Sequence, residues 1–265
     1  MPHNQIIRPE MTNKSDDNHI VTEAKLVIDF GNTLTKVAIF QGNDIVEQLT
    51  KTPLDPDTLF LLKEKYSPSF AISASVIDIP EKLKKFLEEN FKWISLQHTT
   101  PVPVHNHYKT AETLGSDRLA MVVAAARLIP RRKCLVIGTG TCITYDFIDE
   151  TATYFGGAIS PGINMRFQAL HNFTSKLPLV SFDENAKLTG TTTKESVLSG
   201  VINGVIAEVD GVIDRYRMLY DDIEVVLTGG DMNFFRKTLK NRIFAVSNLV
   251  LSGLNLILEF NVKEQ

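Results

Sequence analysis

A chain of 265 residues, 43% hydrophobic and 22% charged, is long enough for two modest domains with ordinary soluble cores. Its formal net charge of −3 offers no basic field for nucleic acid and no acidic run for a solvating tail. Two cysteines, Cys134 and Cys142, make no disulfide framework, the apolar stretches read as too short to span a bilayer, and the N-terminus lacks the basic-then-apolar order of a signal peptide, so a reduced, buried cysteine pair and a cytoplasmic protein without membrane partners are expected.

Residues 1–23 are polar and aperiodic and read as a disordered extension. Three apolar runs follow, Leu26–Phe30, Leu34–Phe40 and Ile45–Leu49, with Gln41-Gly42-Asn43-Asp44 as the hairpin turn between the last two. Phe70–Val76 reads as a strand ending in small residues. A helix follows from Pro80, with Leu83, Phe86 and Leu87 on one face, and then a short strand at Trp93–Leu96. Residues Thr99–Thr110 form a long loop holding His105, His107 and Tyr108. From Ser116, a plausible N-cap, an alanine-rich apolar helix runs to Leu128, and Pro130-Arg131-Arg132 marks a boundary between lobes 24–130 and 131–265.

The second half opens with strands Cys134–Ile137 and Ile143–Ile148. A glycine-punctuated turn at Phe155–Ile163 leads into a helix from about Asn164. A long helix spans about Lys194–Arg217, with Val197, Val201, Ile202, Val205, Val209 and Ile213 at helical spacing. Ile223–Leu227 is a strand ending in Thr228-Gly229-Gly230-Asp231, and an apolar helix, Asn248–Phe260, closes the chain. Alternating strands and helices make the chain α/β, and the opening hairpins separate it from a doubly wound dinucleotide fold.

The segment Leu26–Lys36 concentrates the chemistry. Its strand ends in Asp29, turns through Gly31, Asn32 and Thr33, and resumes with Lys36. Gly31 permits close backbone approach, the amides and side chains of Asn32 and Thr33 can donate to phosphate oxygens, Asp29 can hold magnesium or its water shell, and Lys36 supplies a point charge. An ordinary β-hairpin with a polar turn is the competing reading. Leu135-Val136-Ile137-Gly138-Thr139-Gly140-Thr141 partly echoes the segment, which suggests two similar lobes facing one cleft.

Asp117 stands at a helix start between small residues and Arg118. It suits a general base for a substrate hydroxyl, with a helix-capping acid paired with Arg118 as the competing and, from position alone, the simpler reading. Asp146, on the second strand of the second half, is a candidate cleft acid. Thr228-Gly229-Gly230 could lie against a purine or simply turn the chain. His105 and His107 lack further ligands nearby and read as surface loop residues.

Together these motifs resemble the type III pantothenate kinases of the actin-like and sugar-kinase-like ATPase superfamily, from about Lys25 to Phe260. Asp29–Thr33 with Lys36 resembles the first phosphate motif and Gly115-Ser116-Asp117-Arg118 the G-x-D-R pantothenate motif. Gly140–Asp146 resembles the second phosphate motif, Gly156–Gly162 a further signature, and Thr228-Gly229-Gly230 the adenosine motif. The resemblance implies two ribonuclease-H-like lobes with a central cleft. It also implies transfer of the ATP γ-phosphoryl group to pantothenate, the first step of coenzyme A biosynthesis, by a cytoplasmic homodimer using Mg2+ and K+ or NH4+. Asp117 would accept the proton. Tyr108, Gly115, Ser116, Arg118 and Thr193 would contact pantothenate. Asp29, Gly31, Asn32, Thr33, Lys36, Gly140, Thr141, Thr228, Gly229 and Gly230 would hold the nucleotide, with Asp29 and Asp146 as metal candidates. One departure stands out: the family's monovalent-cation aspartate falls at Gly138, which implies weaker or altered cation activation. A non-catalytic accessory relative of the same fold is the alternative, and a kinase or hydrolase of the superfamily with another substrate is a third.

Overall fold

The computed structural model describes residues 23–263, so most of the expected N-terminal extension lies outside the described residues. Two compact units form. One holds the described residues up to Leu128 together with those from Asn248 onward, and the other holds Ile129–Ser247.

The first unit opens with β1 (Ala24–Phe30), β2 (Thr35–Gln41) and β3 (Asp44–Lys51), an antiparallel meander. Then come α1 (Pro56–Tyr66), β4 (Phe70–Ser75), α2 (Glu81–Asn90) and β5 (Lys92–Ser95). The two-residue β6 (His105–Asn106), a 3-10 turn at Ala111–Thr113 and α3 (Ser116–Leu128) follow. Strand order is β3-β2-β1-β4-β5, with β4 parallel to β1 and β5 parallel to β4. Leu26, Ile28, Phe30, Val37 and Ile39 bury one sheet face against Leu59 and Leu62 of α1 and Leu83 and Leu87 of α2.

The last helix, α7 (Leu249–Lys263), packs on β1, β4 and α3 of this first unit. Chain order alone puts it in the second lobe. Chain order misleads here because burial decides: Leu249, Leu251, Leu254, Ile257 and Leu258 are all buried. Lys25 anchors the helix by pairing with Glu259, and both Lys25 Nζ and Asn255 Nδ2 donate to Gly42 O at 3.0 Å.

The second unit contains β7 (Cys134–Thr139), β8 (Cys142–Ile148), β9 (Thr153–Pro161), α4 (Ile163–Asn172), α5 (Thr193–Leu219), β10 (Glu224–Gly229), α6 (Met232–Thr238) and β11 (Phe244–Ala245). Its strands lie in the order β11-β10-β7-β8-β9. Here too a three-stranded antiparallel meander is extended by two parallel strands, the topology of the first unit repeated. The expected self-similarity therefore extends beyond the short sequence echo. Leu135, Ile137, Ile143, Tyr145, Val225 and Leu227 bury one face against α4, α5 and α6.

Three local readings change. Residues 155–161 belong to strand β9 rather than a turn. Their glycines admit a crossing too tight for a side chain: a Cβ on Gly157 would lie 1.6 Å from Tyr145 O. Helix α1 is an addition to the expected elements, capped by Asp55 accepting from Thr58 N at 2.7 Å, with Pro56 opening its first turn. Finally, α5 has 27 residues and is apolar enough to cross a membrane by length and composition, contrary to expectation. Its Val197, Val201, Val205, Val209 and Ile213 instead fill the core of the second unit. Cys134 is buried and Cys142 half-buried, and both are free thiols.

Candidate active site

In the first unit the site is built where β1, β2, β4 and α3 end or begin together. Asp29 is the cross-strand partner of Lys36, with the exposed Asn32 and Thr33 in the turn between them. Val76 N donates to Phe30 O at 3.1 Å, tying the end of β4 to the end of β1. Ser116 Oγ donates to Ser75 O at 3.3 Å, tying the start of α3 to that same strand end. The residue after β1's acid and the residue before α3's acid thus share one anchor, Ser75–Val76, whose role the sequence reading did not assign. Its only signal was a strand ending in small residues.

The electrostatics of the pair follow from this placement. Burial pushes the Asp29 carboxyl up to about 6, and the negative charge of Asp117 adds to the rise, while Lys36 partly offsets it. Two acids close enough to disfavour each other's charge form a position that gains from a bound cation.

Asp117 lies in the first turn of α3, where an acid is favoured, and its Oδ1 accepts from Arg118 N at 2.9 Å. Gly115 shapes the same spot, because a Cβ there would fall 2.6 Å from Asp117 Oδ1. Arg118 is only 5% exposed, and its guanidinium carbon stands 5.6 Å from the centroid of the Tyr108 ring. Tyr108 is oriented in turn by its N–H donating to Asn106 Oδ1 at 2.9 Å. The structure therefore joins Tyr108, Gly115, Ser116, Asp117 and Arg118 into one group. His105 and His107 are exposed.

In the second unit the site residues gather at the ends of β7 and β10. Gly140 and Thr141 form the exposed β7–β8 turn, closed by Gly140 N donating to Cys142 O at 3.0 Å. Thr139 Oγ1 donates to Thr228 O at 2.8 Å. Gly229 has φ +108, and a Cβ there would meet Thr139 O at 1.9 Å, so glycine is required on both conformational and steric grounds. Gly230 is exposed beside it, which places Thr228-Gly229-Gly230 against the strand that leads into the Gly140–Thr141 turn.

Two candidates change character, and a third opens a capped helix. Asp146 is fully buried, and Tyr154 Oη donates to its Oδ1 at 2.6 Å, so it braces β8 from within and is no open metal ligand. Gly138 is a buried strand residue whose backbone partners are Thr144 and Thr228, and Thr144 Oγ1 is buried without a hydrogen-bond partner. Thr193 opens α5 as an exposed residue, in a turn whose bonds are those of its own cap: Thr192 Oγ1 accepts from Glu195 N at 3.2 Å, and Glu195 accepts from Thr191 N at 2.7 Å. Among the described residues, no group of three or more His, Cys, Asp or Glu could hold a metal ion.

Comparison with known proteins agrees with these motifs. Residues 25–215 match the family model described as type III pantothenate kinase. The chain is 46% identical over 239 residues to the type III pantothenate kinase of Phocaeicola vulgatus, covering 90% of this chain and 99% of that one. It is 43% identical over 238 residues to that of Christiangramia forsetii, covering 89% and 98%. Among solved structures it resembles a Campylobacter jejuni protein described as a Baf family transcriptional activator, with TM-score 0.56, 21% identity and 90% and 99% coverage. A glucokinase from an Antarctic psychrotroph gives TM-score 0.50 at 12% identity, with 90% and 99% coverage, and extends the likeness in fold to sugar kinases. The chain belongs to the type III pantothenate kinase family.

Proposed function

We propose that the protein transfers the γ-phosphoryl group of ATP to the primary hydroxyl of pantothenate, forming 4′-phosphopantothenate and ADP, the first committed chemistry of coenzyme A synthesis. The observation that carries this reading is the Asp117 group: a carboxylate in the first turn of α3, given room by Gly115 and flanked by a buried arginine over Tyr108. Asp117 takes the hydroxyl proton as the oxygen bonds to phosphorus and ADP departs. Phosphoryl transfer depends chiefly on positioning and charge neutralisation, so a strongly basic group is not needed. Arg118, with its rigid fork of donors, holds the pantothenate carboxylate, and Tyr108 fixes the guanidinium plane.

The family resemblance supports Asn32, Thr33 and Lys36 as phosphate contacts, Thr141 as a further phosphate contact, and Thr228-Gly229-Gly230 as the adenosine contact. Asp29 fits a magnesium ion, since it is a hard oxygen donor whose carboxyl is held up by burial and a neighbouring acid. When bound, that ion neutralises charge on the phosphate oxygens. A monovalent-cation site of the usual family kind does not fit. Position 138 carries no carboxylate, Asp146 is taken by Tyr154, and the orphaned Thr144 hydroxyl is a single neutral oxygen. The family resemblance supports Thr193 as a pantothenate contact and a cytoplasmic homodimer as the working form. Asp29, Lys36, Asp117 and Arg118 are all present, and no observation favours a non-catalytic role.

A coupled assay of ADP release, run with and without pantothenate, tests the reading. Strict pantothenate dependence is expected. Release that ignores pantothenate would replace it with hydrolysis, and no release would point to an accessory protein.

A further inference from the structure

We propose that Arg166 and Glu208 are positioning residues for nucleotide binding, holding the Ser160–Gly162 corner that backs the Gly140–Thr141 turn. The inference rests on reading that turn as a phosphate-binding element. It concerns two charged side chains that the mechanism above does not use, both largely withdrawn from solvent, with side chains 21% and 29% exposed.

The corner meets the turn through the backbone: Gly162 N–H donates to Thr141 O at 3.0 Å, and a Cβ on Gly162 would stand 2.1 Å from Gly140 O. A shift of the Ser160–Gly162 corner is therefore passed directly to the turn. That corner in turn depends on Arg166. Its Nε donates to Pro161 O at 2.8 Å and its Nη2 to Ser160 Oγ at 2.9 Å, while its own N–H donates to Gly162 O at 3.1 Å. One residue in the first turn of α4 thus grips all three residues of the corner.

Glu208 fixes the arginine. Its Oε2 accepts from Arg166 Nη2 at 2.5 Å, and its Oε1 accepts from Tyr145 Oη at 3.0 Å. Tyr145 lies on β8, the strand that leaves the turn, so the bracket closes through α5, α4, β9 and β8. Burial would raise the Glu208 carboxyl, but hydrogen bonds from Arg166, Ser160 and Tyr145 hold it below the usual range, so the pair is ionised and internally neutral. Removing Arg166 leaves the Glu208 anion without its cation beside the corner that backs a phosphate-binding turn. Removing the charge of Glu208 leaves a cation, which phosphate tolerates.

The two truncations should therefore differ. Arg166→Ala should weaken ADP binding by about tenfold in titration calorimetry and raise the KM for ATP by a similar factor, with the KM for pantothenate within about twofold. Arg166→Lys, which keeps the charge and one donor, should recover part of the loss, and Glu208→Gln should weaken ADP binding only about threefold. Circular dichroism and melting establish that each variant is folded, and if Arg166→Ala is not, Arg166→Lys and Glu208→Gln carry the comparison. Unchanged ADP affinity in the folded variants, or equal rises in both KM values, would overturn the inference alone. Failure of the unsubstituted protein to bind ADP would overturn it together with the reading of the turn.

Discussion

Gly115 and Asp117 are fitted to each other: a Cβ on Gly115 would lie 2.6 Å from Asp117 Oδ1, closer than carbon and oxygen approach without displacement. The glycine keeps the carboxylate where it is. Gly115→Ala should therefore lower kcat by about tenfold to a hundredfold, because small displacements of a reacting group are costly in rate. The residue is partly exposed and the clash is with a side-chain end, so the melting temperature should change little. Steady-state kinetics beside a thermal melt would check this, and an unchanged kcat would show that Asp117 has slack.

Asp29 is expected to trade stability for function. Its carboxyl is raised to about 6 from an ordinary 3.8, with burial as the main cause and Asp117 the second. The folded protein thus binds this proton more tightly than the unfolded chain. Below about pH 4 both states are protonated and there is no penalty. As pH rises through about 6 the folded state must hold the charge, and stability falls. Asp29→Asn removes the penalty, so it should stabilise the protein by on the order of 2 kcal/mol at pH 8 and by almost nothing near pH 4. Denaturant melts at the two pH values would measure the difference, and the same variant should lose magnesium-dependent nucleotide binding.

The sequence disclosed most where local chemistry and burial agree. The Leu-Val-Ile runs at Leu26 and Leu135 became β1 and β7 at equivalent places in two units of one topology, and the Val197–Ile213 stripe became the buried side of α5. It disclosed least where a non-local contact decides. Gly156 and Gly157 read as a turn because nothing in sequence shows that Tyr145 O lies under Gly157. Asp146 read as a cleft acid because its partner, Tyr154, is brought to it only by strand pairing. Helix α7 read as belonging to the second half because its packing partners, β1, β4 and α3, come much earlier in the chain. The Gly115–Arg118 group was legible as a motif, but the Ser75 carbonyl that anchors Ser116 was not.

Arg118 is buried against Tyr108, so its replacement should affect pantothenate rather than ATP. Arg118→Lys preserves charge but loses the planar fork and the stacking, and should raise the KM for pantothenate by about tenfold while leaving that for ATP within about twofold. A parallel rise in both would show that Arg118 supports the unit generally.

The glycine at position 138 predicts weak or altered activation by monovalent cations. Its strand partners Thr144 and Thr228 bring neutral hydroxyls only, and the Asp146 carboxylate further along β8 is already bonded to Tyr154. Initial rates measured against potassium and ammonium concentration should rise little, and strong saturable activation would show that the ion is held elsewhere.

Following the γ-phosphorus itself decides whether the phosphoryl group passes to pantothenate with Asp117 as proton acceptor. With γ-labelled ATP, pantothenate and magnesium, label should appear in phosphopantothenate. Asp117→Asn should reduce that transfer by at least about a thousandfold while the variant remains folded and still binds ADP. Label released only as inorganic phosphate, or near-normal transfer by the folded Asp117→Asn variant, would contradict it.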